Sequence, residues 1–221
     1  MASWRRTGGK RSQKLVSVAG AAVVALAAGC GRDLPSGTGE MRFFITSERT
    51  GSGGDLNGLA AADLHCQTLA GRAGSTKKEW RAYLSTAASG GQPAVNARDR
   101  IGRGPWANAR GFQVAATLEE LHGDAANLHQ ETALDEHGEI VRGPIHDILT
   151  GSTTEGMSAG EGLTCENWTS TGGAAMVGHH NRQGGGDRPR SWNSAHASRG
   201  CSLPALESTG GDARFYCFAI D

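Results

Sequence analysis

The sequence predicts an α+β fold, with early helices packed on short antiparallel strands, long loops and two disulfides. Three observations predict it. Helical periodicity belongs to early segments, LAAADLHCQTLAGRAG and ATLEELHGD. Later segments are short apolar runs separated by Gly/Ser/Asp/Pro stretches, the pattern of strands and turns. Helices segregated from strands mark the α+β class rather than alternating βαβ units. Finally, the chain carries five cysteines and 34 glycines in 221 residues, a composition of covalent ties and many loops.

Taken in order, the chain opens on MASWRRTGGKRSQK, with Arg5, Arg6, Lys10, Arg11 and Lys14 and no acid. The apolar LVSVAGAAVVALAAG follows, up to Cys30. A basic stretch, a short apolar run and small residues at its end make a secretory signal over residues 1–29. It is too short for a spanning helix. Leu26–Gly29 before Cys30 look like a bacterial lipobox, with the leucine one place further from the cysteine than usual. Cys30 is therefore expected to be acylated, and several acyl chains give a stable membrane anchor. Gly31 stands where an aspartate would mark inner-membrane retention, which points to the outer membrane. Residues 30–40 are expected to be a flexible tether, and 41–221 one domain. The chain has 22 basic and 22 acidic residues, and loss of the leader leaves 17 against 22, a net charge near −5. A general nucleic-acid binder would instead present a basic surface.

MRFFITS (41–47) is the first strand. Asp55 or Asn57 caps a helix whose Leu59, Ala62, Cys66, Leu69 and Ala70 share one face. Gly71 or Gly74 ends it. EWRAYLST (79–86) alternates, with Trp80, Ala82 and Leu84 on one side. ATLEELHGD is a short helix, and IHDILTG, TCENWTS, AAMVGHH and RFYCFA are short strands. The longest loop surrounds NRQGGGDRPRS. Beyond Cys30 stand Cys66, Cys165, Cys201 and Cys217. An even number in an exported chain implies two disulfides, with three connectivities open. No C-x-x-C pair suggests a zinc knuckle or a redox motif.

GDLNGLAAADLHCQTLA…WRAYLST, TCENWTS, SWNSAHASRGCS and RFYCFA, in that order, resemble the C-type-lectin-like superfamily. Within it the chain is most similar to the endostatin-like branch and its bacterial lipoprotein relatives, over roughly residues 41–221. The resemblance implies the pairings Cys66–Cys217 and Cys165–Cys201. Sugar-binding members hold calcium with a Trp-Asn-Asp triplet and a Glu-Pro-Asn or Gln-Pro-Asp loop. Here Trp192-Asn193 is followed by Ser194, Cys201 lies further on, and neither proline loop occurs. Asn193, Asp187 and Glu166 offer three oxygens, whereas calcium takes about six to eight. No cofactor and no metal ligand is therefore assigned, calcium being the one ion the motif half retains. The plainer expectation is Trp192 in the core beside a disulfide, with Asn193 satisfying loop backbone groups. Exposed Trp168, Trp192 or Trp106 would instead stack on a planar ligand. Trp192, Asn193, Trp168 and Asp187 are thus the candidate ligand-binding residues.

Other motifs carry less. Gly156-Met157-Ser158-Ala159-Gly160 spells the hydrolase elbow but lacks its strand-turn-helix context. His179 and His180, adjacent on a strand, point to opposite faces and are not expected to share an ion. One is expected buried and the other exposed. His146-Asp147 is expected to be a solvated pair, and the other histidines show no H-E-x-x-H spacing. Arg98, Asp99, Arg100 and Arg103 read as a solvated charge cluster. Asn167-Trp168-Thr169 is a glycosylation sequon, expected to go unused in a bacterial lipoprotein.

The function expected is a non-enzymatic, lipid-anchored cell-envelope module. It would bind a glycan, matrix or extracellular protein ligand through the loops between Cys165 and Cys201. The alternatives are a hydrolytic or metal-dependent enzyme on the same scaffold and a purely structural envelope component.

Overall fold

The computed structural model describes residues 1–2, 8 and 36–220. The apolar run expected to be a leader, and Cys30, expected to be acylated, lie outside the described residues. Among the described residues, no helix is long and apolar enough to cross a membrane.

The elements run β1 (Phe43–Ile45), α1 (Gly58–Arg72), β2 (Trp80–Ala82), β3 (Trp106–Ala107), β4 (Gln113–Ala115) and α2 (Leu118–Leu121). They continue with β5 (Asp147–Leu149), α3 (Cys165–Trp168), β6 (Met176–His179), β7 (His196–Ala197), α4 (Leu203–Glu207) and β8 (Gly211–Ala219). This is a mixed α and β structure built around β8. The main sheet has the order β1-β8-β5-β6-β7, with β2 also paired to β8. β1 and β2 run antiparallel to β8, β5 runs parallel to it, and β6 and β7 follow antiparallel. β3 and β4 form a separate hairpin.

Strand alternation sorts the core into two layers. Phe215 and Cys217 of β8 pack with Phe44, Leu69, Trp80 and Trp168 on the side of α1. Tyr216 and Phe218 pack with Phe43, Ile45, Trp106 and Trp192 on the other. Successive strand side chains point to opposite faces, so a strand buried on both faces must be apolar at nearly every position. RFYCFA meets that demand. On α1 the buried residues are Ala62, Cys66, Leu69 and Ala70, one face at helical spacing. Cys66 is bonded to Cys217 and Cys165 to Cys201, the pairings implied by the resemblance.

Three local expectations need correction. TCENWTS is not a strand. Cys165, Glu166, Asn167 and Trp168 have φ of 48°, 52°, 59° and 68°, one left-handed turn. Such a backbone costs L-residues roughly 1–2 kcal/mol each, and here several bonds enforce it. Cys165 is tied to Cys201. The Trp168 indole donates to the Ser85 carbonyl at 2.8 Å. Asn167 accepts from the Ala87 amide at 2.8 Å and donates to the Ala87 carbonyl at 3.1 Å. The sequon amide is therefore committed inside the fold. The proposed tether is also shorter than expected, because the Gly37 and Gly39 amides already donate to the carbonyls of Arg110 and Gly111. Lastly, Arg100 is not solvated: it pairs with Asp63 at 2.6 Å and its side chain is only 9% exposed.

Candidate functional site

The chain leaves β6 at His179, makes the Gly-rich loop 181–190 and returns through Trp192 to β7. The return is close, because Gly178 of β6 lies against the Trp192 backbone. A Cβ on Gly178 would fall 1.8 Å from the Trp192 carbonyl oxygen. The loop is thereby held over the sheet, with a cleft on one side and a histidine cluster on the other.

The cleft encloses about 630 Å³. Its lining includes Arg182, Arg188, Arg190 and His122, and Asp124 is its one acid. Arginine ion pairs among the described residues involve Arg49, Arg72, Arg81, Arg100, Arg110 and Arg214. None involves the three cleft arginines. Arg182 instead donates to the carbonyls of Leu128, Ala126 and Arg190. Arg188 donates to the Ser194 carbonyl at 2.7 Å and to its hydroxyl at 3.0 Å. Carbonyls fix these guanidinium groups without neutralising them. Burial pushes the Arg182 pKa down.

Below the cleft a neutral network runs inward. The Asn193 amide reaches the Tyr83 hydroxyl at 2.9 Å and the carbonyls of Thr153 and Thr154 at 3.0 and 3.1 Å. Tyr83 is 2.8 Å from His122 Nε2, and His122 Nδ1 is 2.8 Å from the Leu118 carbonyl. That carbonyl can only accept, so Nδ1–H donates to it and Nε2 accepts from Tyr83. Burial raises the Tyr83 pKa and lowers that of His122. Burial likewise pushes His180 down to about 4. Both histidines fold as neutral rings, whereas an unfolded histidine takes up its proton near 6.5. Below about pH 6.5 the unfolded chain binds more protons, so stability is present above that value and falls as pH drops toward the folded pKa values. Chelator-treated protein is expected to lose on the order of 3 kcal/mol between pH 6.5 and pH 4 through His180 alone. Urea midpoints across that range check this, and His180→Gln should flatten the slope. An unchanged slope in the variant would contradict it.

On the other side of the loop, His146, Asp147, His179 and His196 converge. Asp147 and His179 are opposite one another in the β5·β6 pairing, and His196 is opposite Val177, two places before His179. Positions two apart on a strand share a face, so the register alone puts these three side chains together. His146 precedes β5 and joins from its edge. Asp147 Oδ1 lies 3.3 Å from His146 Nε2, 3.1 Å from His179 Nε2 and 3.5 Å from His196 Nε2. Among the described residues, His146, Asp147 and His179 are the one group of three or more such side chains close enough to share an ion.

Trp168, Trp192 and Trp106 are all buried, so none offers an exposed face to a planar ligand. Trp192 and Asn193 form the inner wall of the cleft. Trp192 donates its indole N–H to the Leu121 carbonyl at 2.9 Å. Asp187 is exposed on the loop. Glu166 lines a different cleft, with Glu161 and Asn167. Asn193 Oδ1 already accepts from Ser191 at 3.0 Å, so the three oxygens considered for calcium are not presented together. His179 and His180 are both buried, and Asp147 is 2% exposed. That corrects the expectations of one exposed histidine and a solvated His146-Asp147 pair. Ser158 of the elbow pattern bridges to Ser152 in a turn, and its hydroxyl accepts from Gly160 N–H at 3.2 Å. The sequence signal missed was the placement of histidine or aspartate in three separate strand segments. Only the strand register joins them.

No protein-family model matches the chain, and no curated protein matches it.

Proposed function

We propose that this chain is an exported, lipid-anchored binding module of the C-type-lectin-like fold, and that its ligand is an acidic saccharide. The leader and Cys30 support the export and anchoring. The two disulfide pairings, α1 against the sheet and the long loops between Cys165 and Cys201 support the lectin-like assignment. The ligand assignment rests on one observation: three arginines line the cleft, and among the described residues none of them forms an ion pair with a carboxylate. Guanidinium groups held by carbonyls are pre-oriented for a carboxylate or sulfate. The net negative charge of the mature part restricts this to a local site, not a general polyanion surface.

Calorimetry with uronate-bearing, sulfated and neutral oligosaccharides of equal length tests this on the purified chain. Acidic ligands should bind and weaken steeply with salt, and neutral ones should not bind. Replacing Arg188 and Arg190 together by alanine should weaken binding by about ten-fold or more, since a charge-assisted bond is worth roughly 1.5–3 kcal/mol. Equal binding of neutral saccharides, or no effect of the double variant, would reject the cleft as the site.

A further inference from the structure

We propose that His146, Asp147 and His179 form a binding site for one divalent cation of the zinc class, with the His196 ring beside it. The site pins β5 to β6 beneath loop 181–190. It does not depend on the acidic-saccharide assignment.

The protonation pattern comes first. His146 Nδ1 is 2.9 Å from the Pro144 carbonyl, His179 Nδ1 is 2.8 Å from the Pro189 carbonyl, and His196 Nδ1 is 2.9 Å from the Ala197 carbonyl. A carbonyl can only accept, so each Nδ1 carries the proton and donates. In the neutral rings all three Nε2 atoms then present lone pairs, and all three lie beside one carboxylate oxygen. This is the outer arrangement of metal-bound histidine, in which the second ring nitrogen donates to a carbonyl and fixes tautomer and orientation.

The distances agree. Tetrahedral ligands about 2.0–2.1 Å from zinc stand about 3.3 Å from one another. His179 Nε2 and His146 Nε2 are 3.1 and 3.3 Å from Asp147 Oδ1, and the ligand atoms of these three residues all lie within 4.8 Å of one another, a group that leaves out His196. Yet neither oxygen of Asp147, nor His179 Nε2, makes a hydrogen bond. In a tetrahedral site the ring axis points at the ion, about 35° away from the neighbouring ligand atom. Close approach without a hydrogen bond is therefore the expected pattern. Without a cation, a carboxylate only 2% exposed would face three lone pairs with no compensation, and burying an unpaired charge is costly.

Three glycines shape the enclosure. A Cβ on Gly184 would lie 2.6 Å from His179 Cε1 and 3.2 Å from His146 Nε2. One on Gly186 would be 2.7 Å from the His196 ring, and one on Gly210 would be 2.5 Å from His146 Cε1. All three also have positive φ, at 136°, 95° and 98°, a further reason for glycine. The His179 and Asp147 side chains are at most 1% exposed, while His146 and His196 are 25% and 18% exposed. The ion would enter past the latter two.

The donor set selects the metal. Two imidazoles and one carboxylate suit zinc and its borderline neighbours, whereas calcium and magnesium take all-oxygen sets. Three protein ligands leave one position of a tetrahedral ion for water or, after a shift of its ring, for His196.

The test titrates tag-free, chelator-stripped full-length protein with Zn²⁺ against a chromogenic chelator, and with Co²⁺ by visible absorption. One equivalent should bind, and Co²⁺ should give the intense bands of four-coordinate cobalt. His146→Asn and His146→Gln, at a partly exposed position, should each weaken zinc binding at least about ten-fold. Absence of saturable binding, or variants that bind as tightly as the parent, overturns the site and leaves a proton-bridged histidine–aspartate cluster. Weak six-coordinate cobalt bands overturn the tetrahedral assignment.

Discussion

Replacing Cys66 and Cys217 together by alanine is expected to leave little folded protein at physiological temperature. The bond joins α1 to the central strand and closes a loop of 151 positions. In the chain-entropy model such a loop is worth about 5 kcal/mol. A whole domain is stable by only about 5–15 kcal/mol, so the loss is a large part of the total. Both sulfurs lie in the fully buried layer between α1 and the sheet, so packing is lost as well. The inner bond, Cys165–Cys201, spans 36 positions and is worth about 4 kcal/mol on the same basis. Its removal should also free the left-handed turn that carries Trp168. Urea denaturation of the two paired variants gives the order. A Cys66→Ala/Cys217→Ala protein as stable as the parent would contradict this account of the scaffold.

Trp192→Ala is expected to cost about 3–5 kcal/mol. Trp192 is 3% exposed, with ring centroids 4.8 Å from Tyr83 and 5.2 Å from Tyr216. Its carbonyl accepts from the Tyr216 hydroxyl at 2.8 Å. The residue thus ties the cleft wall to β8. Trp192→Phe keeps most of the ring contact and leaves the Leu121 carbonyl unpaired, which should cost about 1–3 kcal/mol. If Trp192 supports the wall rather than stacking on ligand, the phenylalanine variant should keep its acidic-saccharide affinity. A loss under about 1 kcal/mol for Trp192→Ala would show that the indole is not a core element.

Much of the scaffold was legible in the sequence. The spacing of Ala62, Cys66, Leu69 and Ala70 marked the buried face of α1, and continuous apolarity marked β8. The left-handed turn was not legible. Thr164, Trp168 and Thr169 favour strands, and the turn is held by bonds to distant residues, the disulfide to Cys201 and hydrogen bonds with Ser85 and Ala87. α4 was also missed, although Ser202 and Pro204 are ordinary starting residues for a helix. At the site, Trp192 and Asn193 stood out but proved to be inner wall. The residues with unusual surroundings, Asp147 and His179, looked ordinary because their meaning lies in the pairing of β5 with β6. Sequence spacing carries no information about which strands become neighbours in such a sheet.

That β5 and β6 meet at a cation site is tested most directly by melting the full-length protein in zinc, in calcium and in chelator. A ion that binds only the folded chain raises its stability by mass action. Zinc should raise the melting temperature above the chelator value by several degrees, calcium should leave it there, and His146→Asn should abolish the zinc shift. No rise with zinc, or an equal rise with calcium, would contradict the site and return attention to the oxygen-bearing loops around Asn193.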